Sequence, residues 1–315
     1  MTHQQEYSAT TEQVGSRAIV YRRGEHCEPL VGVDMEKIKF TKMNGLGNDF
    51  IIIDYDDFEK IKLTPSELAL KLCNRNFSIG ADGLIIINRE TKNADVSWIF
   101  YNSDGSVAEM CGNGMRCFAR YVHDKGIITK DEFSVETLSG IKIPKIISEN
   151  EVRVNMGMPI LETNKIPFDN ATNDYKYVTR DGKEFDIYAV SMGNPHTIIF
   201  VDGNSKEYAL KYGSEIENDK LFKEKTNVEF VEVLSRKEVV LNVWERGCGI
   251  TLACGTGACA TVVSGVLKGI LDNDVIVHLP GGDLNITWSG SLDNTKQNVF
   301  MTGKADYSFY GEIDI

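Results

Sequence analysis

The chain reads as an α+β protein of two pseudo-symmetric domains. Each is expected to be a curved, mostly antiparallel, barrel-like sheet around a central helix, with the functional site in the cleft between them. Three observations predict this. Short apolar runs separated by glycine-rich turns recur along the chain. Each half contains one principal helical pattern. Four anchors occur in the same order in both halves.

The first anchor is Gly47-Asn48 before Phe50–Asp54, matched by Gly193-Asn194 before Thr197–Asp202. The second is Asp82-Gly83 entering Leu84–Ile87, matched by Asn227 entering Val228–Val233. Tyr101-Asn102 and Trp244-Glu245 each close a strand and form the third. The fourth is a cysteine that opens a glycine-rich helix start, Cys111-Gly112-Asn113-Gly114 and Cys254-Gly255-Thr256-Gly257. The later anchors follow Asn48 by 34, 54 and 63 residues and follow Asn194 by 33, 51 and 60. One such pair could be chance; four in order point to a structural repeat.

The elements follow in order. Ile38–Met43 alternates and predicts a strand, Asn44–Asp49 a turn and Phe50–Ile53 a second strand. Thr64-Pro65-Ser66-Glu67 is a helix start, with a capping Thr, Pro at the first position and Glu three residues on. That helix is expected to reach Cys73, before strands at 84–88 and 96–101. Met115, Cys117-Phe118 and Tyr121-Val122 form one stripe of a helix over 112–126, stopped by Gly126. Strands are predicted at 134–137, 141–147 and 152–156, with a crossover from Met158-Pro159. The second half repeats the plan, with strands at 186–191, 197–201, 228–233 and 238–245 and a helix over 257–268. Strands at 275–279, 284–288, 298–302 and 308–315 complete it. The expected division is a 1–36 extension, a domain of 37–155 plus 302–315 carrying Cys111, and a domain of 156–301 carrying Cys254.

Composition narrows the function classes. Thirty-four basic against 46 acidic residues, a net charge of −12, and the lack of a basic cluster argue against a nucleic-acid surface. Seven cysteines in 315 residues are not a disulfide framework. The odd count and the lack of a secretory signal favour a reducing cytoplasm. No apolar run is long enough for a membrane span. Residues 1–34 are polar and aperiodic, and their acidic residues fit a transit peptide poorly, so Met35 is read as a native start.

The chemistry rests on Cys111 and Cys254. A thiol at a helix N-terminus meets unpaired N–H groups and the positive end of the dipole. Its pKa, about 8.5 when free, is expected there to fall to roughly 3.5–7.5. The following glycines admit a ligand close to the backbone, and the same amides hold a carboxylate. Two such termini facing each other would place one thiol on each side of an α-carbon. One would remove the α-proton as thiolate and the other would deliver a proton to the opposite face.

The motifs that carry this pattern resemble a known family. Lys42-Met43-Asn44-Gly45-Leu46-Gly47-Asn48-Asp49-Phe50, Tyr101–Gly105, Glu109–Cys117, Ser191–His196 and Glu245–Gly257 are similar, in order, to the signatures of the diaminopimelate epimerases. The resemblance covers about residues 37–315. It implies interconversion of LL- and meso-diaminopimelate on the route to lysine, with no pyridoxal phosphate, metal or other cofactor, in a homodimer. It implies that Cys111 and Cys254 are the acid/base thiols, tuned by His196 and Glu245. Gly112-Asn113 and Gly255-Thr256 match the amides that take the reacting carboxylate. Asn48, Asn102, Asn194, Asn227, Glu245 and Arg246 match the rest of the substrate shell. The residues agree: Arg246 can grip a carboxylate bidentately, and amide side chains orient ammonium and carboxylate groups. One departure stands out, because some members carry Gln where this chain has Gly83.

Plainer readings remain beside these. Cys73, Cys117 and Cys259 read as inert core thiols, Cys248 as structural, and Cys27 as part of the extension. His196 alone could be a satisfied structural histidine, Glu245-Arg246 an ion pair, and Asn48 and Asn227 turn residues that cap backbone. A related two-cysteine amino-acid or proline-type racemase is one alternative function. A thiol redox or zinc protein is another; it would use the loosely spaced pairs Cys111/Cys117 and Cys254/Cys259.

Overall fold

A computed structural model of the protein describes residues 37–315; the 1–36 extension, with Met35 and Cys27, lies outside the described residues. The chain starts with strands β1 (Lys37–Gly45) and β2 (Asn48–Asp54), followed by helices α1 (Tyr55–Phe58) and α2 (Pro65–Leu72). Strands β3 (Gly83–Asn88) and β4 (Val96–Asn102) precede helix α3 (Gly112–Asp124). Four short strands follow, β5 (Val135–Thr137), β6 (Gly140–Lys142), β7 (Pro144–Ile146) and β8 (Glu151–Gly157). The second half contains β9 (Asp174–Val178), β10 (Glu184–Ser191), β11 (Pro195–Val201), α4 (Ser205–Glu217), β12 (Asn227–Ser235) and β13 (Glu238–Glu245). It continues through β14 (Gly249–Ile250), α5 (Gly255–Leu267), β15 (Asp274–Leu279) and β16 (Gly282–Trp288) to β17 (Val299–Lys304) and β18 (Asp306–Asp314).

These strands make two sheets. One has the order β18-β1-β2-β3-β4-β5-β6; the other runs β7-β8-β17-β16-β15-β13-β12-β11-β10-β9, with β14 on β13. Twelve of the sixteen strand pairings are antiparallel. The four parallel ones fall at matched places: β2–β3 and β4–β5 in the first sheet, β11–β12 and β13–β15 in the second. The internal repeat is therefore real at the level of hydrogen-bond registry. A parallel step needs a crossover, and helices serve as the crossovers. Helices α2 and α4 lie between the first parallel pair of each half, and α3 and α5 between the second.

The barrel-like expectation is corrected. The outer strands β18 and β6 of one sheet, and β7 and β9 of the other, are ends of open sheets, so neither closes. Three local expectations are corrected as well. The predicted six-residue turn at 44–49 is a two-residue hairpin on Leu46 (φ 59°) and Gly47 (φ 85°), with Asn44, Gly45, Asn48 and Asp49 paired in the strands. Leucine adopts that backbone with its side chain buried in the second core. The single strand expected over 141–147 is two, because the chain leaves one sheet at Lys142 and enters the other at Pro144. One principal helix per half omits α4, whose buried face of Ala209, Tyr212 and Ile216 packs on Phe230 and Ile199. Strand β9 was also not expected; only Tyr177 of its five residues is buried.

Helix α2 begins as predicted, with Thr64 and Glu67 bonded reciprocally in a capping box. Helix α3 buries Met115, Cys117, Phe118 and Val122 against Phe50, Trp98 and Val154. Helix α5 is buried on nearly all sides, as Ala258, Cys259, Ala260, Val262 and Val263 show. The two helices touch at their N-terminal ends over Met301: ideal Cβ atoms on Gly112 and Gly255 would stand 2.6 Å from Met301 Cε and 2.9 Å from Met301 Sδ. Glycine at both positions lets the helix ends approach this closely.

Candidate active site

The site begins with two equivalent helix starts. Cys111 is the N-cap of α3 and Cys254 the N-cap of α5, both with extended backbone. Each sulfur accepts from the amide of the third helical residue, Gly114 N–H at 3.5 Å and Gly257 N–H at 3.4 Å. Cysteine therefore occupies the place where Ser or Asp commonly caps a helix. Cys111 stays partly accessible, while Cys254 is 5% exposed.

Burial decides the thiol acidity against the expectation. The helix-end amides do lower both pKa values, but desolvation outweighs them. Burial pushes Cys111 up; the Gly114 and Asn113 amides and the Arg116 charge pull it down, and Glu245 pushes it up. Burial, then Glu245 and Glu229, push Cys254 well above its usual value, against the bonds from Thr256 and Gly257. The thiols expected to be acidic are thus held upward by burial. Glu245, as a carboxylate, opposes ionisation of both sulfurs. Its own carboxyl is raised by burial, and Thr251 Oγ1 donates to it.

The predicted shell divides into groups. On the Cys111 side, Asn48 Oδ1 lies 3.5 Å from Cys111 Sγ and accepts from Asn113 Nδ2 at 3.3 Å, while Asn48 Nδ2 donates to Asp82 at 2.7 Å. Asn113 Oδ1 is buried without a partner, 3.9 Å from where a Cβ on Gly255 would stand. On the Cys254 side, Thr256 Oγ1 lies 3.5 Å from Cys254 Sγ and accepts from Asn194 Nδ2 at 3.3 Å. Asn194 Oδ1 faces His196 Nε2 at 3.0 Å.

Three predicted residues are held differently. Asn227 is buried; it donates to Pro195 O at 2.8 Å and accepts from the Arg246 amide at 2.9 Å, so its side chain pins the end of β13. The Arg246 guanidinium donates to Glu224 O at 3.1 Å from an exposed position. Asn102 bonds its own turn, donating to Ser106 Oγ at 3.0 Å. Cys117 and Cys259 are fully buried in the two cores, Cys73 is buried on α2, and Cys248 is exposed.

Two residues at the site were not predicted. Glu229 of β12 lies within bonding distance of His196, Oε1 to Nδ1 at 2.7 Å, with both side chains fully enclosed. The signal was a lone carboxylate in an otherwise apolar strand interior, Val228-Glu229-Phe230-Val231. Arg116 of α3 is fully buried, donating to Lys304 O at 3.1 Å and lying 3.7 Å from Met301 Sδ, with Nη2 unpartnered. It lies inside the helix stripe that the sequence pattern assigned to apolar packing. Donor atoms of His196, Glu229 and Cys254 lie within 4.8 Å of one another, the one metal-compatible group among the described residues. It does not use the Cys254/Cys259 spacing considered from the sequence.

The arrangement brings two helix N-termini together, each with free amides and a thiol cap. The family model described as diaminopimelate epimerase matches residues 40–162 and 188–308. A diaminopimelate epimerase of Halothermothrix orenii is 48% identical over 289 residues, covering 89% of this chain and 99% of that protein. One from Desulforapulum autotrophicum is 47% identical over 289 residues, covering 89% and 100%. Among solved structures, a Bacillus anthracis phenazine biosynthesis protein of the PhzF family aligns with TM-score 0.63 at 16% identity, over 89% of this chain and 100% of that one. A hydroxyproline epimerase from Agrobacterium vitis, with bound trans-4-hydroxy-L-proline, aligns with TM-score 0.61 at 11% identity, over 89% and 93%. These distant structures share the fold of two open sheet-rich domains. With both halves matched and nearly half of the aligned residues identical to full-length relatives, the chain belongs to the diaminopimelate epimerase family.

Proposed function

We propose that this protein interconverts LL- and meso-2,6-diaminopimelate by a two-base, cofactor-free epimerisation, with Cys111 and Cys254 as the proton carriers. The observation that carries the reading is the matched pair of thiol N-caps on the two symmetry-related helices, in a chain of this family. The reacting carboxylate binds the amides of Gly112-Asn113 and Gly255-Thr256, where both helix dipoles favour negative charge. One sulfur, as thiolate, takes the α-proton and becomes a thiol. The other, as thiol, gives its proton to the opposite face and becomes a thiolate. One C–H bond breaks and one forms, and the two sulfurs exchange protonation states. The raised thiol pKa values suit this task, because a thiolate of higher pKa is the stronger base toward a weak carbon acid. The helix-end amides stabilise the charge that spreads from the α-carbon into the carboxylate. His196 and Glu245 tune the thiols, while Asn48, Asn102, Asn194, Asn227, Glu245 and Arg246 form the remaining substrate shell. For the last of these, the Arg246 guanidinium would leave Glu224 O to meet the distal carboxylate.

The proposed domains are 37–155 with 302–315, and 156–301. Core membership supports these bounds: Val152, Val154 and Ala305 pack with α3, whereas Val299 and Met301 pack with α5. A cytoplasmic homodimer fits the six free thiols of the described residues and the exposed Phe309 and Tyr310 on the edge strand β18. No described helix is long and apolar enough to cross a membrane.

The test replaces each thiol separately. Cys111→Ala and Cys254→Ala should each lower epimerisation by about 10²–10⁴-fold, the usual worth of a positioned acid or base. The assay follows conversion of LL- to meso-diaminopimelate, together with α-proton exchange in deuterium oxide, by NMR. Near-normal turnover in either variant refutes the two-base scheme. Exchange seen only with amino acids carrying a single carboxylate would instead assign a proline-type or other racemase.

A further inference from the structure

The His196–Glu229 pair is defined tightly enough to count its protons. Asn194 Nδ2 donates to Thr256 Oγ1 at 3.3 Å, which turns Asn194 Oδ1 toward His196 Nε2 at 3.0 Å. An amide oxygen only accepts, so Nε2 carries a hydrogen. The other ring nitrogen, Nδ1, faces Glu229 Oε1 at 2.7 Å. A contact that short between two acceptors needs one proton between them. The pair is then either imidazolium with carboxylate or imidazole with carboxylic acid, and in both forms its net charge is zero. Both side chains are fully enclosed, and Glu229 Oε2 has no partner. Burial also favours the uncharged carboxyl.

The pair adjoins the chemistry. Cys254 Sγ lies within 4.8 Å of donor atoms of both His196 and Glu229. An ideal Cβ on Gly257, in the first turn of α5, would stand 2.7 Å from Glu229 Oε1 and 3.2 Å from Cys254 Sγ. The remaining groups facing Cys254 are Thr256 on its own helix and Glu245 at the end of β13; Glu245 also faces the pair. We propose that Glu229 is a positioning residue that acts through His196: it holds one shared proton against the imidazole, fixes the Nε2–H tautomer, and keeps the surroundings of Cys254 neutral overall while that sulfur alternates between thiol and thiolate. The proton moves only between Oε1 and Nδ1, so nothing is gained or lost from the site.

This inference rests on the epimerase reading, and the experiment separates the two. Glu229→Gln keeps the shape but holds neither the negative charge nor the shared proton. With LL-diaminopimelate, kcat should fall by about 10²-fold, as for a misplaced catalytic group, with KM little changed. Alkylation of Cys254 by iodoacetamide, quantified by peptide mass spectrometry, should keep the midpoint pH of the wild type, because the pair is neutral with Glu229 and neutral with Gln in its place. A midpoint displaced to lower pH, whatever happens to kcat, would mean that Glu229 carries an unshared negative charge and overturns the proposal, and so does an unchanged kcat. If Glu229→Gln does not fold, the wild-type protein labelled with ¹⁵N-histidine decides. His196 should show a hydrogen on Nε2 and a shared proton on Nδ1; a ring lacking the hydrogen on Nε2, or with no proton shared at Nδ1, overturns it. Wild-type protein inactive on diaminopimelate would sink the epimerase reading, while the alkylation and NMR measurements would still judge the pair.

Discussion

Adding one methyl group at Gly257 tests the geometry around Cys254. Gly257 is the third residue of α5, and its amide donates to Cys254 Sγ. An alanine Cβ there would lie 2.7 Å from Glu229 Oε1, 3.2 Å from Cys254 Sγ and 3.3 Å from Glu229 Cγ. The carboxylate must move by about 0.7 Å to restore ordinary contact, which disturbs its 2.7 Å contact with His196. Alanine gains about 1 kcal/mol in helix propensity. Overpacking costs about 1–3 kcal/mol. Net destabilisation should therefore fall between about 0 and 2 kcal/mol, leaving the fold intact. The loss of alignment is the larger effect, about 10²-fold in kcat, or close to 2.7 kcal/mol of barrier. Gly265→Ala on the same helix is the control. Its Cβ would stand 2.4 Å from Leu271 Cδ1, so it should lose stability through core packing while retaining kcat. Urea unfolding and α-proton exchange in deuterium oxide measure the two quantities. The reasoning fails if Gly257→Ala turns over like wild type, or if both variants lose kcat in proportion to their loss of stability.

Other outcomes follow from the same structure. Burial raises both site thiols, so iodoacetamide should label Cys111 and Cys254 slowly at pH 7 and faster as pH rises beyond the usual thiol range; a rate already at its plateau at pH 7 would mean the helix ends win. Burial pushes the Asp49 carboxyl up, but the bonds from Arg75 and Lys42 outweigh it and hold it at about 2. A depressed folded pKa contributes stability above the unfolded value of about 3.9, lost as pH falls toward 2. Asp49→Asn should thus be less stable than wild type at pH 6, with the gap closing through that window in acid titrations; a gap independent of pH would point to packing alone. Thr64→Ala removes the capping box of α2 and should cost about 1 kcal/mol in urea unfolding; an unchanged midpoint would mean that the end of α2 frays without consequence.

Local patterns made much of this protein legible in the sequence. The alternation of Ile38–Met43, the Thr64-Pro65-Ser66-Glu67 start and the stripe of Met115, Phe118 and Val122 each became the expected element, because each is decided within a few residues. The four anchors foretold matched hydrogen-bond registers, Phe50 opposite Gly83 and His196 opposite Asn227. Both cysteines reached helix N-caps because the glycines after them permit that start. Where distant residues ruled, the sequence was silent. Leu46 takes a left-handed backbone because the second core encloses its side chain, and no neighbour in the chain signals that. Pro144 hands the chain from one sheet to the other: β7 pairs with β8 close by, but β8 joins the second sheet only through β17, Val154 opposite Met301, far along the chain.

The site divides in the same way. Residue types, glycines and spacing named two thiols, a histidine and a carboxylate, since these are properties of short motifs. Their protonation was decided elsewhere. Helix dipoles act within a turn and can be read locally, but desolvation depends on everything packed around a group. That is why Cys111 and Cys254, expected to be acidic, are pushed upward by burial. It is also why Glu229, an unremarked residue of a strand, becomes the partner of His196 once β11 and β12 pair in parallel.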